Sequence, residues 1–288
     1  MRRIFLCLGD TARPGHVRSA LLISCSRKSA VPLTCIPVFV VSLPDCLDRR
    51  QAISQALSAL GIEFEFVDAV DGRYGLDPQY EDQIDRVEAQ RVGRILSDAE
   101  FACALSHLTI YRRIVSENLA YALVLEDDAV PSPQLVEFLV NHHYRDADLT
   151  QLYTSRAYVR RSGIKAILNT YTSYLCLPRV PAVYTVAYTV SYWAALHFVT
   201  HAVPVTTVAD WPTCINTLIA KRQVRIIYPL LAEHSNTPSL IGRYGQQINR
   251  QRKAMRRYFG IYIPPFRSIV DSLVSGSSFH KLIAKRLP

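Results

Sequence analysis

A run as apolar and β-branched as IPVFVVSL at residues 36–43 is best satisfied as a strand covered on both faces. The chain must therefore build a sheet with helices on either side of it. The next residues supply the first cover. CLDRRQAISQAL places Ile53, Ala56, Leu57 and Leu60 at helical spacing, with Asp45 as the expected cap and Gly61 as the stop. IEFEFVDAVDG then alternates Ile62, Phe64 and Phe66 with Glu63 and Glu65 and closes on an Asp71-Gly72 turn. Strand, helix and strand in close succession make a βαβ unit, so the sheet is expected to be mostly parallel and flanked by helices, an α/β fold.

A second helix is marked in LSDAEFACALSHLTIYRRIVSEN. Ser97 and Glu100 form an S-x-x-E capping box, Leu96 and Phe101 stand at the staple positions, and Phe101, Ala104, Leu105, Leu108, Tyr111 and Val115 make an inward stripe. This helix delivers the chain into YALVLEDDAV, an apolar strand that ends in Glu126, Asp127 and Asp128. Three adjacent carboxylates at a buried strand end repel one another with little water to compensate, and a cation would remove that cost. The carboxyl end of such a strand is also where open α/β sheets place their ligands. By strand alternation Glu126 and Asp128 should share a face while Asp127 points away. Two oxygen-bearing acids at the mouth of a sheet suit a hard divalent ion that keeps positions open for a phosphate-bearing substrate. Beyond this point PSPQLVEFLVNHH reads as a helix, DLTQLY and AVYTVAYTVS as strands, YWAALHFVTHA as a helix and VRIIYPLLAEHS as a late strand and loop; residues 153–180 have no clean period.

The order VVSLPDCLDRR, FVDAVDG and LSDAEFACALSHLTIYRRIVSENLAYALVLEDDA resembles glycosyltransferase family 25, the lipooligosaccharide-type galactosyltransferases, over residues 36–130, with a weaker echo to about residue 237. The resemblance implies a GT-A-like nucleotide-sugar transferase fold, a UDP-sugar donor, Mn²⁺ or Mg²⁺, and inversion at the anomeric carbon. Matched residue by residue, it puts the metal at Asp128, with Glu126 and Asp127 beside it, and Ser106 and His107 in the donor pocket. Arg49 and Arg50 match the charged start of the first helix, where an arginine can hold a diphosphate bidentately. Asp68 is placed to meet the nucleoside. AYTVSYWAALHFV and VADWP match later motifs and make Asp210 the candidate general base. The chain departs from the family at Ala102 and at Tyr184-Thr185, where glycine is usual.

Composition limits the partners. The chain has 288 residues and a formal net charge of +9, yet residues 241–288 hold ten Lys or Arg against one acid, while residues 1–240 balance. The tail mixes that charge with Tyr258, Phe259, Tyr262 and Phe266, which suits an anionic membrane surface better than nucleic acid. A peripheral position at the inner face of the cytoplasmic membrane and a lipid-linked glycan acceptor follow as expectations. Seven cysteines with no paired spacing read as free thiols in a reducing compartment rather than as a zinc site. The expected organisation is a poorly ordered extension over 1–35, a GT-A-like domain over 36–240, and a basic, partly helical tail over 241–288.

Overall fold

The computed structural model describes residues 36–91, 95–160, 165–167, 170–176, 184–210, 212, 214–235 and 279–283. The expected N-terminal extension and all of the basic tail except residues 279–283 lie outside these residues. In chain order the elements are β1 (Val38–Ser42), α1 (Leu47–Ala59), β2 (Glu65–Asp68), α2 (Arg86–Arg91), α3 (Asp98–Ser116), β3 (Tyr121–Glu126), β4 (Ala129–Pro131), α4 (Gln134–Val140), β5 (Leu149–Gln151), β6 (Arg156–Arg160), β7 (Lys165–Ile167), β8 (Tyr171–Leu175), β9 (Ala187–Ser191), α5 (Tyr192–His201), α6 (Ile215–Ala220), β10 (Val224–Tyr228), β11 (Ala232–His234) and β12 (Phe279–Ile283).

Eight strands form the central sheet in the order β2-β1-β3-β9-β5-β10-β8-β7. The β1-α1-β2 unit pairs in parallel, and β3 lies parallel on the other side of β1. The α/β class, with helices flanking a central sheet, is consistent with the expected GT-A-like fold. The expectation of a mostly parallel sheet is corrected: β9 runs antiparallel to both β3 and β5, and β8 runs antiparallel to β10 and β7, so the sheet is mixed. A parallel neighbour needs a crossover, usually helical, and among the described residues no helix lies between β5 and β9; β7 and β8 are joined by a short connection that enforces the antiparallel sense. Two small antiparallel pairs, β4 with β11 and β6 with β12, lie outside this sheet. The pairing of β12 brings the described part of the tail back onto β6.

All five residues of β1 are buried, as its composition demands. Alternation divides them between two cores. Phe39 and Val41 join Ala122 and Val124 of β3 against α3 and α5, whereas Val38 and Val40 join Leu123 and Leu125 against α1 and α4. The site therefore grows at the common end of two strands that are fixed on both faces.

Helix α3 begins as its sequence requires. The Ser97 hydroxyl accepts from Glu100 N, and the Glu100 carboxylate accepts from Ser97 N at 2.8 Å, completing the capping box. Replacing Ser97 with Ala removes one arm of this box and should lower unfolding free energy by about 1 kcal/mol. Urea denaturation would show this as a lower midpoint at unchanged slope; an unmoved midpoint would deny the cap its role. Helix α1 starts differently from expectation. Cys46 occupies its cap position without a side-chain capping hydrogen bond, and Asp45 instead accepts from Arg73 at 2.8 Å. Arg73, itself held by Asp71, lies within reach of Asp45 and ties the loop after β2 to the start of α1.

Candidate active site

The carboxyl ends of β1 and β3 open into a cleft. Backbone hydrogen bonds fix its acidic edge: Asp127 N donates to Val41 O at 3.1 Å, and Ser235 N donates to Asp128 O at 2.8 Å. Strand β3 ends at Glu126, and Asp127 and Asp128 form the turn into β4. This overturns the expected pairing of side chains. Glu126 keeps to the α3 side, where His107 Nε2 lies 3.4 Å from its Oε1. Asp127 faces α1 as alternation requires, but the turn brings Asp128 to the same side. Arg49 Nη2 lies 2.5 Å from Asp127 Oδ1 and 2.5 Å from Asp128 Oδ2.

The cation that the three acids call for is thus partly supplied by the chain itself. The Arg49 guanidinium bridges two acids that are only 8% and 6% exposed. Asp127 also accepts from the Ser42 hydroxyl at 2.7 Å, and Asp128 Oδ2 lies 3.4 Å from His234 Nε2. Asp128 Oδ1 and Arg49 Nε are buried with no hydrogen-bond partner. Such groups are costly unless something else satisfies them.

The two acids differ in their protonation. Burial pushes Asp127 up to about 6, and the Ser42 hydrogen bond and Arg49 only partly oppose it. Burial acts upward on Asp128 too, but the His234 hydrogen bond and the Arg49 charge outweigh it and hold this carboxyl below the usual range. Two neighbouring carboxylates set apart in this way can take different roles. Because the folded value of Asp127 exceeds its unfolded one, ionising it destabilises the fold; the cost is present above about pH 6 and is relieved as pH falls toward the ordinary aspartate value. Asp127→Asn removes the term. The melting temperature of the variant minus that of the native chain should therefore be more positive above pH 6 than below it, and a difference independent of pH would contradict this account.

The remaining expected residues fall into two groups. Ser106 and His107 line the cleft with Arg49, Glu126, Asp127 and Asp128. Ser106 acts through the backbone: it accepts from Val70 N at 2.9 Å and donates to Ala102 O at 2.7 Å, holding the loop after β2 against α3. His107, 2% exposed, has Nδ1 at 2.8 Å from the Tyr188 hydroxyl, which donates onward to Tyr111. Arg50, Asp68 and Asp210 lie outside the cleft lining. Arg50 donates to Ser42 O, Leu43 O and Asp68 and stacks over Phe66, so it braces the end of β1. Asp68 is mostly exposed and is engaged by Arg50. Asp210 accepts from both N and Oγ1 of Thr185, at 3.1 and 3.0 Å. Burial and then the charge of Glu126 raise its pKa, partly opposed by those hydrogen bonds.

Four contributors escaped the sequence reading. Ser42 ends the apolar strand β1, His234 ends the short strand β11 beside β4, and Cys103 stands one helical turn before His107. Thr185, noted only as a departure from a usual glycine, is the residue that holds Asp210.

A family model described as glycosyltransferase family 25 (LPS biosynthesis protein) matches residues 35–211. Among curated proteins, the probable inactive glycosyltransferase 25 family member 3 of Bos taurus is 37% identical over 102 residues, 32% of this chain and 16% of that protein. The lacto-N-neotetraose biosynthesis glycosyltransferase LgtE of Neisseria meningitidis serogroup B is 30% identical over 100 residues, 35% of each chain. The lipooligosaccharide biosynthesis protein lic2B of Haemophilus influenzae is 28% identical over 113 residues, 39% of this chain and 41% of that one. The matches thus span well under two thirds of these relatives. The crystal structure of a glycosyltransferase involved in the glycosylation of the major capsid of PBCV-1 overlaps 74% of this chain and 98% of that one at 9% identity and a TM-score of 0.34, too loose a likeness to carry an argument.

Proposed function

The chain belongs to glycosyltransferase family 25, and from that premise we propose that it is a metal-dependent, inverting transferase that moves galactose from a UDP-sugar to a lipopolysaccharide- or lipooligosaccharide-type glycan. The observation that carries this reading is the buried, unpartnered Oδ1 of Asp128 at the edge of a cleft walled by acids and arginine. Hard carboxylate oxygens fit Mn²⁺ or Mg²⁺. Asp128 would hold the ion, with Glu126 and Asp127 beside it, and when bound the ion would offset the charge that develops on the departing UDP. Arg49 would share the same charge, and its buried, unpartnered Nε supports that role. Asp210 does not itself line the cleft; with its pKa raised by burial and by Glu126, it is the carboxylate proposed to take the proton of the acceptor hydroxyl.

The two bacterial relatives, named for lacto-N-neotetraose and lipooligosaccharide biosynthesis, support the acceptor class. The basic, aromatic tail supports a lipid-linked acceptor and peripheral attachment at the inner face of the cytoplasmic membrane. No helix among the described residues is long and apolar enough to cross a membrane. A second reading, a non-catalytic nucleotide- or glycan-binding module with a degenerate site, is favoured by the name of the bovine relative and by the Arg49 bridge across the acids. UDP release from a panel of UDP-sugars, with and without Mn²⁺ and with glycan acceptors present, separates the two. Metal-dependent turnover of one donor supports the transferase; UDP binding without turnover supports the module.

A further inference from the structure

We propose that Cys103, His107 and Glu126 form a second metal site, a three-ligand site for a thiophilic divalent ion such as Zn²⁺, separate from the hard-ion position at Asp128. Cys103 and His107 are one turn apart on the same face of α3, and Glu126 faces them from the end of β3. One ligand atom from each, sulfur, imidazole nitrogen and carboxylate oxygen, can be chosen so that all lie within 4.8 Å of one another. Ligand bonds of about 2.0–2.3 Å to a common zinc need only small side-chain adjustments to close that triangle. The spacing of cysteines along the chain gave no hint of this because two of the three ligands are not cysteines and one comes from another element.

The surroundings are those of a ligating histidine. His107 Nδ1 lies 2.8 Å from the Tyr188 hydroxyl, which is itself hydrogen-bonded to Tyr111, and this chain holds the ring's orientation. The other nitrogen, Nε2, is thereby aimed at Glu126 Oε1, 3.4 Å away. An ion bound between them would take the place of this long contact. A carbonyl, carboxylate or hydroxyl on the far nitrogen is the usual second contact of a metal-bound imidazole. The mixed S, N, O set favours Zn²⁺ over Mg²⁺. All three residues line the cleft, so the fourth position of a tetrahedral ion opens into it. As the sulfur–metal bond forms, the thiol proton leaves to solvent.

The test uses the full chain, freed of metal, without nucleotide or acceptor, so that its outcome is independent of the transferase reading. Titration with Co²⁺ should give an intense near-ultraviolet thiolate-to-cobalt band that saturates at one equivalent and that Zn²⁺ abolishes by displacement. Cys103→Ser should lose that band and bind Zn²⁺ at least about tenfold more weakly. Glu126→Gln, which keeps the thiol, should retain the band at reduced affinity and serves if the cysteine variant does not fold. Absence of the band in the native chain, or its survival in Cys103→Ser, overturns the proposal. Failure of the transferase reading would show instead as no Mn²⁺-dependent UDP release, whatever cobalt does.

Discussion

Asp128→Asn should lower donor turnover on the order of 10²- to 10³-fold while leaving the fold intact. The substitution keeps the shape of the side chain and its place against His234, but removes the charge that His234 and Arg49 hold ionised. It also replaces the buried oxygen that has no other partner. Arg49 keeps Asp127 as its counter-ion, so the bridge loses one arm rather than both. The matching substitution Asp127→Asn should be milder, since that carboxyl is raised to about 6 and is already satisfied by Ser42. Rates of UDP release, with circular dichroism as the folding control, decide the matter. Turnover by Asp128→Asn within about threefold of the native chain would remove Asp128 from the chemistry.

Gly72→Ala should cost about 3 kcal/mol of stability, a large effect for one methyl group. A Cβ at this position would lie 2.4 Å from Asp98 O, 2.6 Å from Asp98 C and 2.8 Å from Ala102 Cβ. Two of these atoms are backbone in the first turn of α3, which cannot retreat without disturbing the Ser97–Glu100 cap. Chemical denaturation measures the loss. Adding Ala102→Gly should recover only part of it, because the clash with Asp98 remains. A Gly72→Ala chain within about 0.5 kcal/mol of the native one would show that the loop yields easily. Donor affinity should fall with stability, since Gly72 and the neighbouring Val70, whose N–H Ser106 holds, both line the cleft.

Gly72 also shows where the sequence could and could not be read. Asp71-Gly72 signals a turn, but nothing local says that the glycine is needed for space against a helix 26 residues further on. The two-faced burial of β1, the βαβ unit and the start of α3 were legible because each depends on a short-range period or cap. The antiparallel course of β9 was not, because its run of apolar residues suits either sense and only its partners decide. The same division holds in the site. Glu126, Asp127 and Asp128 announced themselves as a cluster at a strand end, yet their grouping was misjudged because alternation stops where the strand does. The sequence suggests Arg49 as a diphosphate ligand, whereas the fold also gives it two carboxylate partners within the chain. His234 and Cys103 carry no signal of their own; each gains significance only from what the fold sets beside it.

The Arg49 bridge has a consequence for how the molecule comes to exist. A cleft whose acids could be neutralised only by an ion would have to wait for that ion before its walls could close, as metal-nucleated domains do. Here the neutralising charge is encoded in α1 and arrives with the polypeptide. The two acids facing Arg49 therefore have a counter-charge that comes with the fold, and closing this edge of the cleft does not have to wait for an outside ion.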